Sequence, residues 1–326
     1  MSERRFQVVL TDADRFPLHD RHREHLARHG IGIVPVPSGV PEEQLGDACA
    51  EADGVLVFGT KLTGGVIGRM NRCAIVARCG IGYDNIDVAA AKRKGIRVTY
   101  VPDYCVEEVS DHTVGLMLDC LRKLSFSRER VARGIWDTYE SLGALRRSAG
   151  LQVGLLGFGK IARAVARKLQ GFAFRLAACD PHVDPHAMEA AGVRPVTFAE
   201  WASESDIMCV LLPLTPLTAH IVNRQTLEVA KPGAILVNTS RGALIDEEAL
   251  VWALREGRVG AAGLDVLEAE PPPPDHPLLR MPQVVVTPHS AAFSAEAIDE
   301  VTSRSIDEII RALGGQPPLQ QVPADA

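Results

Sequence analysis

Aromatic side chains make up only 5% of the 326 residues, too few for a stacking platform for single-stranded bases. Positive charge is not in excess either: 35 Lys and Arg stand against 41 Asp and Glu, a formal net charge of −6. An anionic chain without a Lys/Arg block lacks the electrostatic footprint of a nucleic-acid or membrane-surface binder, so neither partner is expected. Long hydrophobic runs are missing as well. The stretch Ile207–Leu212 falls far short of the roughly 20 residues of a membrane span. Met1–Arg5 is polar and runs straight into a strand-like Gln7–Thr11, so no signal peptide is expected. The seven cysteines, at 49, 73, 79, 105, 120, 179 and 209, form no C-x-x-C pair. Most lie within apolar patterns, where a free thiol behaves as a small hydrophobe. The expectation is a reduced, cytoplasmic protein with neither disulfides nor a zinc site.

What is present is ample core, with 46% hydrophobic residues, over a length that predicts two domains. Short β-type runs alternate with helical patterns, which predicts an α/β chain of doubly wound parallel sheets. Strands are expected near Gln7–Thr11, Ile31–Val36, Gly54–Phe58, Ala74–Arg78 and Arg97–Val101. A helix with a broad apolar face follows, around Glu108–Leu124, and then a polar, irregular excursion over 126–149. From Leu151 six further strands are expected: 151–156, 175–179, 207–212, 234–238, 260–266 and 284–287. Six is the count of a complete dinucleotide-binding sheet. An amphipathic helix, Ala295–Leu313, capped by Ser294 and closed by Gly314-Gly315, ends the pattern.

The sharpest motif is Gly157-Phe158-Gly159-Lys160-Ile161-Ala162, between an apolar run and a helical one. Gly157 permits a tight turn, Gly159 a close approach of backbone to pyrophosphate, and Ala162 close helix–strand packing. The helix N-terminus, through the N–H groups around Lys160 and Ile161, offers positive dipole to phosphates. Asp180 ends the next strand at the distance expected for a ribose-binding acid. A carboxylate there repels a 2′-phosphate, so NAD is the expected cofactor rather than NADP.

Three charged residues lie just past late strands: Arg241 in N-T-S-R-G, Glu270 in L-D-V-L-E-A-E-P and His289 in T-P-H-S. Ligands of open α/β sheets bind at that edge. Reducing a 2-keto acid needs a hydride at C2 and a proton at the carbonyl oxygen. His289 can supply the proton near neutrality, Glu270 can hold the imidazolium, and the Arg241 fork can grip a carboxylate and polarise the carbonyl. Each residue alone reads as a surface ion pair, a solvated acid or a turn residue. Their joint placement downstream of the glycine motif carries the inference.

These stretches, together with R-C-G-I-G-Y-D-N-I-D (78–87) and V-P-D-Y-C-V-E-E-V-S-D-H-T (101–113), resemble the D-isomer-specific 2-hydroxyacid dehydrogenase family over nearly the full length. V-P-D-Y-C-V-E-E and P-H-S-A-A-F-S are similar to the branch of the C-terminal-binding-protein-like dehydrogenases. The resemblance implies Arg241, Glu270 and His289 as catalytic set, Gly80-Ile81-Gly82 as backbone donors to the substrate carboxylate, and Thr113, Thr215, Thr218, Thr239 and Asp265 as further cofactor contacts. It implies a discontinuous, flavodoxin-like substrate domain, 1–101 with 294–326, a Rossmann NAD-binding domain over 102–293, and a homodimer joined through the latter. The expected activity is NAD-dependent interconversion of a small 2-keto acid and its D-2-hydroxy acid. The alternative is an NAD(H)-responsive, corepressor-like binding protein with little turnover. Phe58-Gly59 stands where phosphoglycerate-type members carry Arg-Ser, which argues against a phosphorylated substrate, and Lys61 reads as a solvated surface residue. Outside these motifs, His19, His22, His25 and His29 line one side of a first helix. Metal ligation is one reading of that spacing; a solvated face beside Arg21, Arg23 and Arg28 is the expected one.

Overall fold

A computed structural model describes residues 6–16, 18–136, 138–143 and 145–323. Two compact units result: one from the chain up to Tyr104 together with the segment from Ser294, the other from Cys105–Phe293.

The first unit holds five parallel strands, β1 (Phe6–Leu10), β2 (Ile31–Pro35), β3 (Gly54–Val57), β4 (Ile75–Arg78) and β5 (Arg97–Thr99), in the order β2-β1-β3-β4-β5. Side chains alternate between faces with period two, and both faces are apolar because helices cover both. Val9, Val55, Val57 and Val76 face one core. Val8, Leu10, Leu56, Ile75 and Ala77 face the other, completed by Val301, Ile306 and Ile309 of the helix Ala295–Leu313. Ser294 caps that helix by accepting the Ala297 N–H at 2.9 Å.

The histidine side of the helix Asp20–Arg28 corrects an expectation in part: His19 and His29 are exposed, but the two histidines between them are engaged by acids. His22 is 5% exposed, with Nε2 3.0 Å from Asp299 and 3.1 Å from Ser303 Oγ. His25 Nε2 lies 3.0 Å from Asp307, and Arg21 pairs with Asp299. The carboxy-terminal helix brings these acids from some 280 positions away, where local spacing gives no sign of them. Among the described residues no cluster of His, Cys, Asp and Glu is arranged to hold a metal.

Among its described residues the second unit contains seven parallel strands rather than six: β6 (Gln152–Leu156), β7 (Arg175–Cys179), β8 (Arg194–Pro195), β9 (Ile207–Val210), β10 (Ala234–Asn238), β11 (Val259–Leu264) and β12 (Val284–Val286). Their order is β12-β11-β10-β9-β6-β7-β8. The unexpected strand is β8, two residues that include a proline; it carries no hydrophobic period, and an edge position tolerates proline. Strand order reverses between β6 and β9, which makes the crevice beyond their carboxyl ends the switch point.

The long helix runs over Val106–Arg122. The following region is not wholly irregular: Leu124–Ala132 is helical and Tyr139–Leu142 forms a further turn. Lys123, at φ +54°, makes the break without a glycine or proline to announce it. The helix Leu124–Ala132 buries no residue and so leaves no apolar period to read. Among the described residues no helix is long and apolar enough to cross a membrane. Their cysteines are all free thiols, buried except for the half-buried Cys179.

Asp206 locks the amino ends of β6 and β9. Its carboxylate accepts the Gln152 N–H at 2.9 Å and bonds from Arg146 and Lys231 at 2.7 and 3.2 Å. Burial pushes this carboxyl up, but the Gln152 N–H and the two cations outweigh it and hold it below the usual range. A folded value depressed in this way gives stability that is present above the unfolded pKa, about 3.9, and lost as pH falls through the folded one. Asp206→Asn is expected to cost roughly 1–3 kcal/mol at neutral pH in urea unfolding, with the gap to the parent closing in acid. An equal gap at both pH values would show that the charge is irrelevant.

Candidate active site

The glycine loop follows β6 at the switch point. Gly157 has φ +96°, and a Cβ there would stand 2.5 Å from the Leu211 carbonyl oxygen; both facts demand glycine. Gly159 differs, since a Cβ there would meet nothing within 4 Å. It opens the helix Lys160–Leu169 with no side-chain cap, and such a helix N-terminus favours an anionic ligand. Ala162 is buried. Asp180 braces the loop: Oδ2 accepts the Phe158 N–H at 2.8 Å and Oδ1 the His182 N–H at 2.9 Å. Beside it opens a cavity of about 1130 Å³ whose lining includes Gly157, Asp180, Val196, Thr215, Leu217 and Thr218. Thr218 Oγ1 accepts the Thr215 N–H and donates to the Pro213 carbonyl, both at 2.8 Å, so this hydroxyl shapes the cavity wall.

Two expected cofactor contacts are taken up internally. Thr113 is 1% exposed; its hydroxyl lies 2.7 Å from both the Val109 carbonyl and Thr239 Oγ1. The two threonines thus join the long helix to the loop after β10.

Arg241 follows β10 on a loop locked by Asn238, whose amide donates to the Arg241 carbonyl at 2.8 Å and whose oxygen accepts the Ser240 N–H at 3.0 Å. The half-buried guanidinium donates from Nη1 to the Ser240 carbonyl at 2.8 Å. At Gly242 a Cβ would collide with the Leu267 carbonyl and the Glu268 nitrogen. Only glycine lets these loops press together, and Glu270 lies on the second of them. Glu270 Oε1 accepts the Leu267 N–H at 3.1 Å, and Oε2 lies 2.6 Å from His289 Nδ1. Burial pushes the Glu270 carboxyl up; the His289 bond and charge, the Leu267 N–H and the Arg241 charge together bring it below its ordinary value. Glu270 therefore stays an anion beside the imidazole.

His289 sits at φ +52°, a left-handed conformation that costs a non-glycine residue about 1–2 kcal/mol. Asp265 holds it there. This carboxylate, 2% exposed, accepts from Thr287 Oγ1 at 2.5 Å and from the Ser290 and Ala291 N–H groups at 2.9 Å. Expected as a cofactor contact, it is taken up by the turn that carries His289. His112 Nε2, 2.8 Å from Thr287 Oγ1, supports the same turn; it lies within the D-H-T motif but had no chemical signal of its own.

In the first unit, the loop after β4 is built on Arg78. Its Nε donates to the Gly82 carbonyl at 2.7 Å and its Nη1 to the Cys79 carbonyl. A Cβ on Gly80 would strike this guanidinium. The Gly80 N–H, expected to face substrate, instead turns back to the Arg78 carbonyl at 3.0 Å.

The family profile described as D-isomer specific 2-hydroxyacid dehydrogenase, NAD binding domain, matches residues 114–291. A hydroxypyruvate reductase of Thermotoga maritima is 37% identical over 313 residues, covering 95% of this chain and 99% of its own. The chain belongs to the D-isomer specific 2-hydroxyacid dehydrogenase family. A D-3-phosphoglycerate dehydrogenase of Methanocaldococcus jannaschii is 36% identical over 95% of this chain, which spans only 58% of that relative. For three such phosphoglycerate dehydrogenases the chain spans little more than half their length. Among solved structures, a glyoxylate reductase from Paecilomyes thermophila superposes with a TM-score of 0.87 at 28% identity, each chain fully covered. As in other members of the family, the second unit contains the NAD-binding domain, and its residues fit the dinucleotide. Gly159 leaves open space before a helix N-terminus, and Asp180 and the threonine-lined cavity lie alongside.

The two glycines predict opposite lesions. Gly157→Ala is expected to destabilise the protein by roughly 1–3 kcal/mol through positive φ and overpacking. Gly159→Ala should melt like the parent yet bind NADH at least tenfold more weakly. Thermal melts and fluorescence titration with NADH check both, and normal affinity in Gly159→Ala would remove that position from the phosphate site.

Proposed function

We propose that this chain is an NAD-dependent oxidoreductase interconverting a small 2-keto acid and its D-2-hydroxy acid. The observation that carries the reading is the Glu270–His289 pair, 2.6 Å apart, beside the Arg241 loop at the carboxyl edge of a dinucleotide-binding sheet. When bound, NADH supplies the hydride. Since Nδ1 faces Glu270, Nε2 is the nitrogen of His289 left to donate a proton to the carbonyl oxygen and to recover it from the hydroxyl in reverse. Glu270 compensates the imidazolium and fixes the ring. Arg241 binds the substrate carboxylate and polarises the carbonyl. In the first unit, Ile81 and Gly82 are proposed as backbone donors to that carboxylate.

The relatives named for hydroxypyruvate and glyoxylate favour those acids and pyruvate as substrates. The first unit gives a reason to disfavour phosphorylated ones. Phe58 is buried and stacked on Phe16 at 4.3 Å. The Gly59 and Thr60 N–H groups donate to Asp12 at 3.1 and 3.0 Å, so an internal carboxylate already occupies these anion-binding donors. Lys61 is exposed. Homodimerisation through the NAD-binding unit is proposed on its exposed apolar residues, Leu124, Val131, Ile135, Trp136 and Tyr139, clustered in one stretch of sequence.

NADH oxidation at 340 nm across a panel of 2-keto acids is the decisive assay. Turnover is expected with unphosphorylated acids, and His289→Ala should lose roughly 10²–10⁴-fold in kcat with little change in NADH affinity. Tight NADH binding without turnover on any acid would move the assignment to a redox-responsive binding protein.

Cofactor choice gives a separate test. Asp180 would accept hydrogen bonds from ribose hydroxyls and repel a phosphate of about −1.5 to −2 charge. The parent should prefer NADH, and Asp180→Ala should weaken NADH and narrow the gap to NADPH. Equal kcat/KM for both cofactors in the parent would refute the assignment of Asp180.

A further inference from the structure

Behind the Glu270 loop stands a second carboxylate that the proposed chemistry does not use. Asp246 caps the helix Glu247–Arg255, so Glu247 lies in its first turn, where the positive helix end favours an anion. Glu247 Oε1 accepts the Glu268 N–H at 2.8 Å, and Oε2 lies 3.0 Å from His276 Nε2. Both side chains are only 16% exposed. Among the described residues His276 Nδ1 is buried with no hydrogen-bond partner, so the ring is best satisfied with its proton on Nε2, donated to Glu247. The Glu268 carboxylate is itself held 2.9 Å from His220 Nε2. One carboxylate therefore pins both ends of the segment 268–276 to a helix, and Glu270 lies inside that segment.

The link to the proton-handling pair is short. The residue before the pinned Glu268 N–H is Leu267, whose N–H holds Glu270 Oε1 and leaves Oε2 for His289. On the other side Gly242 is packed against Leu267 and Glu268 with no space for a Cβ. The turn is thus clamped between Gly242 and Glu247.

We propose that Glu247, with His276 as its partner, is a positioning residue that fixes the peptide at Glu268 and so sets how Glu270 meets His289. It touches no reacting atom. The inference rests on the reading of His289 as acid and base, but its test does not require turnover. The His289 ring nitrogens can be followed by 15N NMR in the full chain, with Glu270 and Arg241 on neighbouring loops and Asp265 beneath the turn as the surrounding charges. Glu270→Gln removes the carboxylate that holds the Nδ1 proton and should move the neutral ring from the Nδ1–H tautomer toward Nε2–H. Glu247→Ala should move it in the same direction, while Glu247→Gln, which keeps an oxygen for the Glu268 N–H, should restore it. In turnover, Glu247→Ala should lose on the order of 10²-fold in kcat, the cost of misplacing a reacting group by about 1 Å, at near-constant KM for NADH. Added to Glu270→Gln it should cost little more, as coupled sites do.

An unmoved His289 tautomer in Glu247→Ala, alongside a shift in Glu270→Gln, overturns the proposal and leaves the catalytic reading intact. No shift in Glu270→Gln overturns the catalytic reading instead. If Glu247→Ala does not fold, His276→Leu removes the other end of the staple, and an unchanged His289 tautomer there is equally fatal.

Discussion

The geometry of the site depends on hydrogen bonds that continue past the ends of three neighbouring strands. The Asp265 N–H donates to the Asn238 carbonyl at 2.9 Å, and the His289 N–H donates to the Asp265 carbonyl at 2.8 Å. These bonds carry the register of β10, β11 and β12 into the loops that follow them. Asn238 then fixes Arg241 through its amide, and the Asp265 carboxylate fixes the turn around His289. A buried carboxylate is costly unless every lone pair has a donor; here the donors come from the turn being organised. The hydrogen bonds from Thr287, Ser290 and Ala291 thus offset both the cost of burying Asp265 and the strain at His289.

Charge is used differently at the two ends of this sheet. Asp206, at the amino ends of β6 and β9, is buried and fully partnered, and it serves stability. Glu270 and His289, at the carboxyl edge, are 37% and 47% exposed at their side chains. A pair so open to water contributes little to folding. Its exposure is what the proposed proton transfer needs, because substrate must reach the imidazole. Among the described residues the cofactor side of the edge carries no such pair. There stand the glycine backbone, a helix end and an acid that braces the loop beside the cavity.

The first unit shows how a discontinuous domain closes. Five parallel strands require cover on both faces, and the local helices supply only part of it. The helix Ala295–Leu313 returns from the far end of the chain to cover Val8, Leu56 and Ile75 with Val301, Ile306 and Ile309. The same return pairs Asp299 and Asp307 with the first helix. Folding of this unit must therefore close a loop that contains the whole of the other, a high contact order that slows folding more than it affects stability.

Much of this was legible in the residues themselves. Apolar runs of four to six residues marked the parallel strands because a strand buried on both faces cannot hide its composition. The placement of the glycine motif, Asp180, Arg241, Glu270 and His289 at the carboxyl edge was legible because each stands in the segment that follows a strand. The strand β8 escaped because two residues have no period, and the helix Leu124–Ala132 because it buries nothing. The partners of His22 and His25, the inward turn of the Gly80 N–H, the internal duties of Thr113 and Asp265, and the Glu247–His276 staple were decided by tertiary structure alone. Each depends on side chains brought together from distant parts of the chain, and a hydrogen bond across such a distance leaves no trace in local pattern. Sequence determined which groups stand at the sheet edge; packing decided which of them face a ligand and which hold the others still.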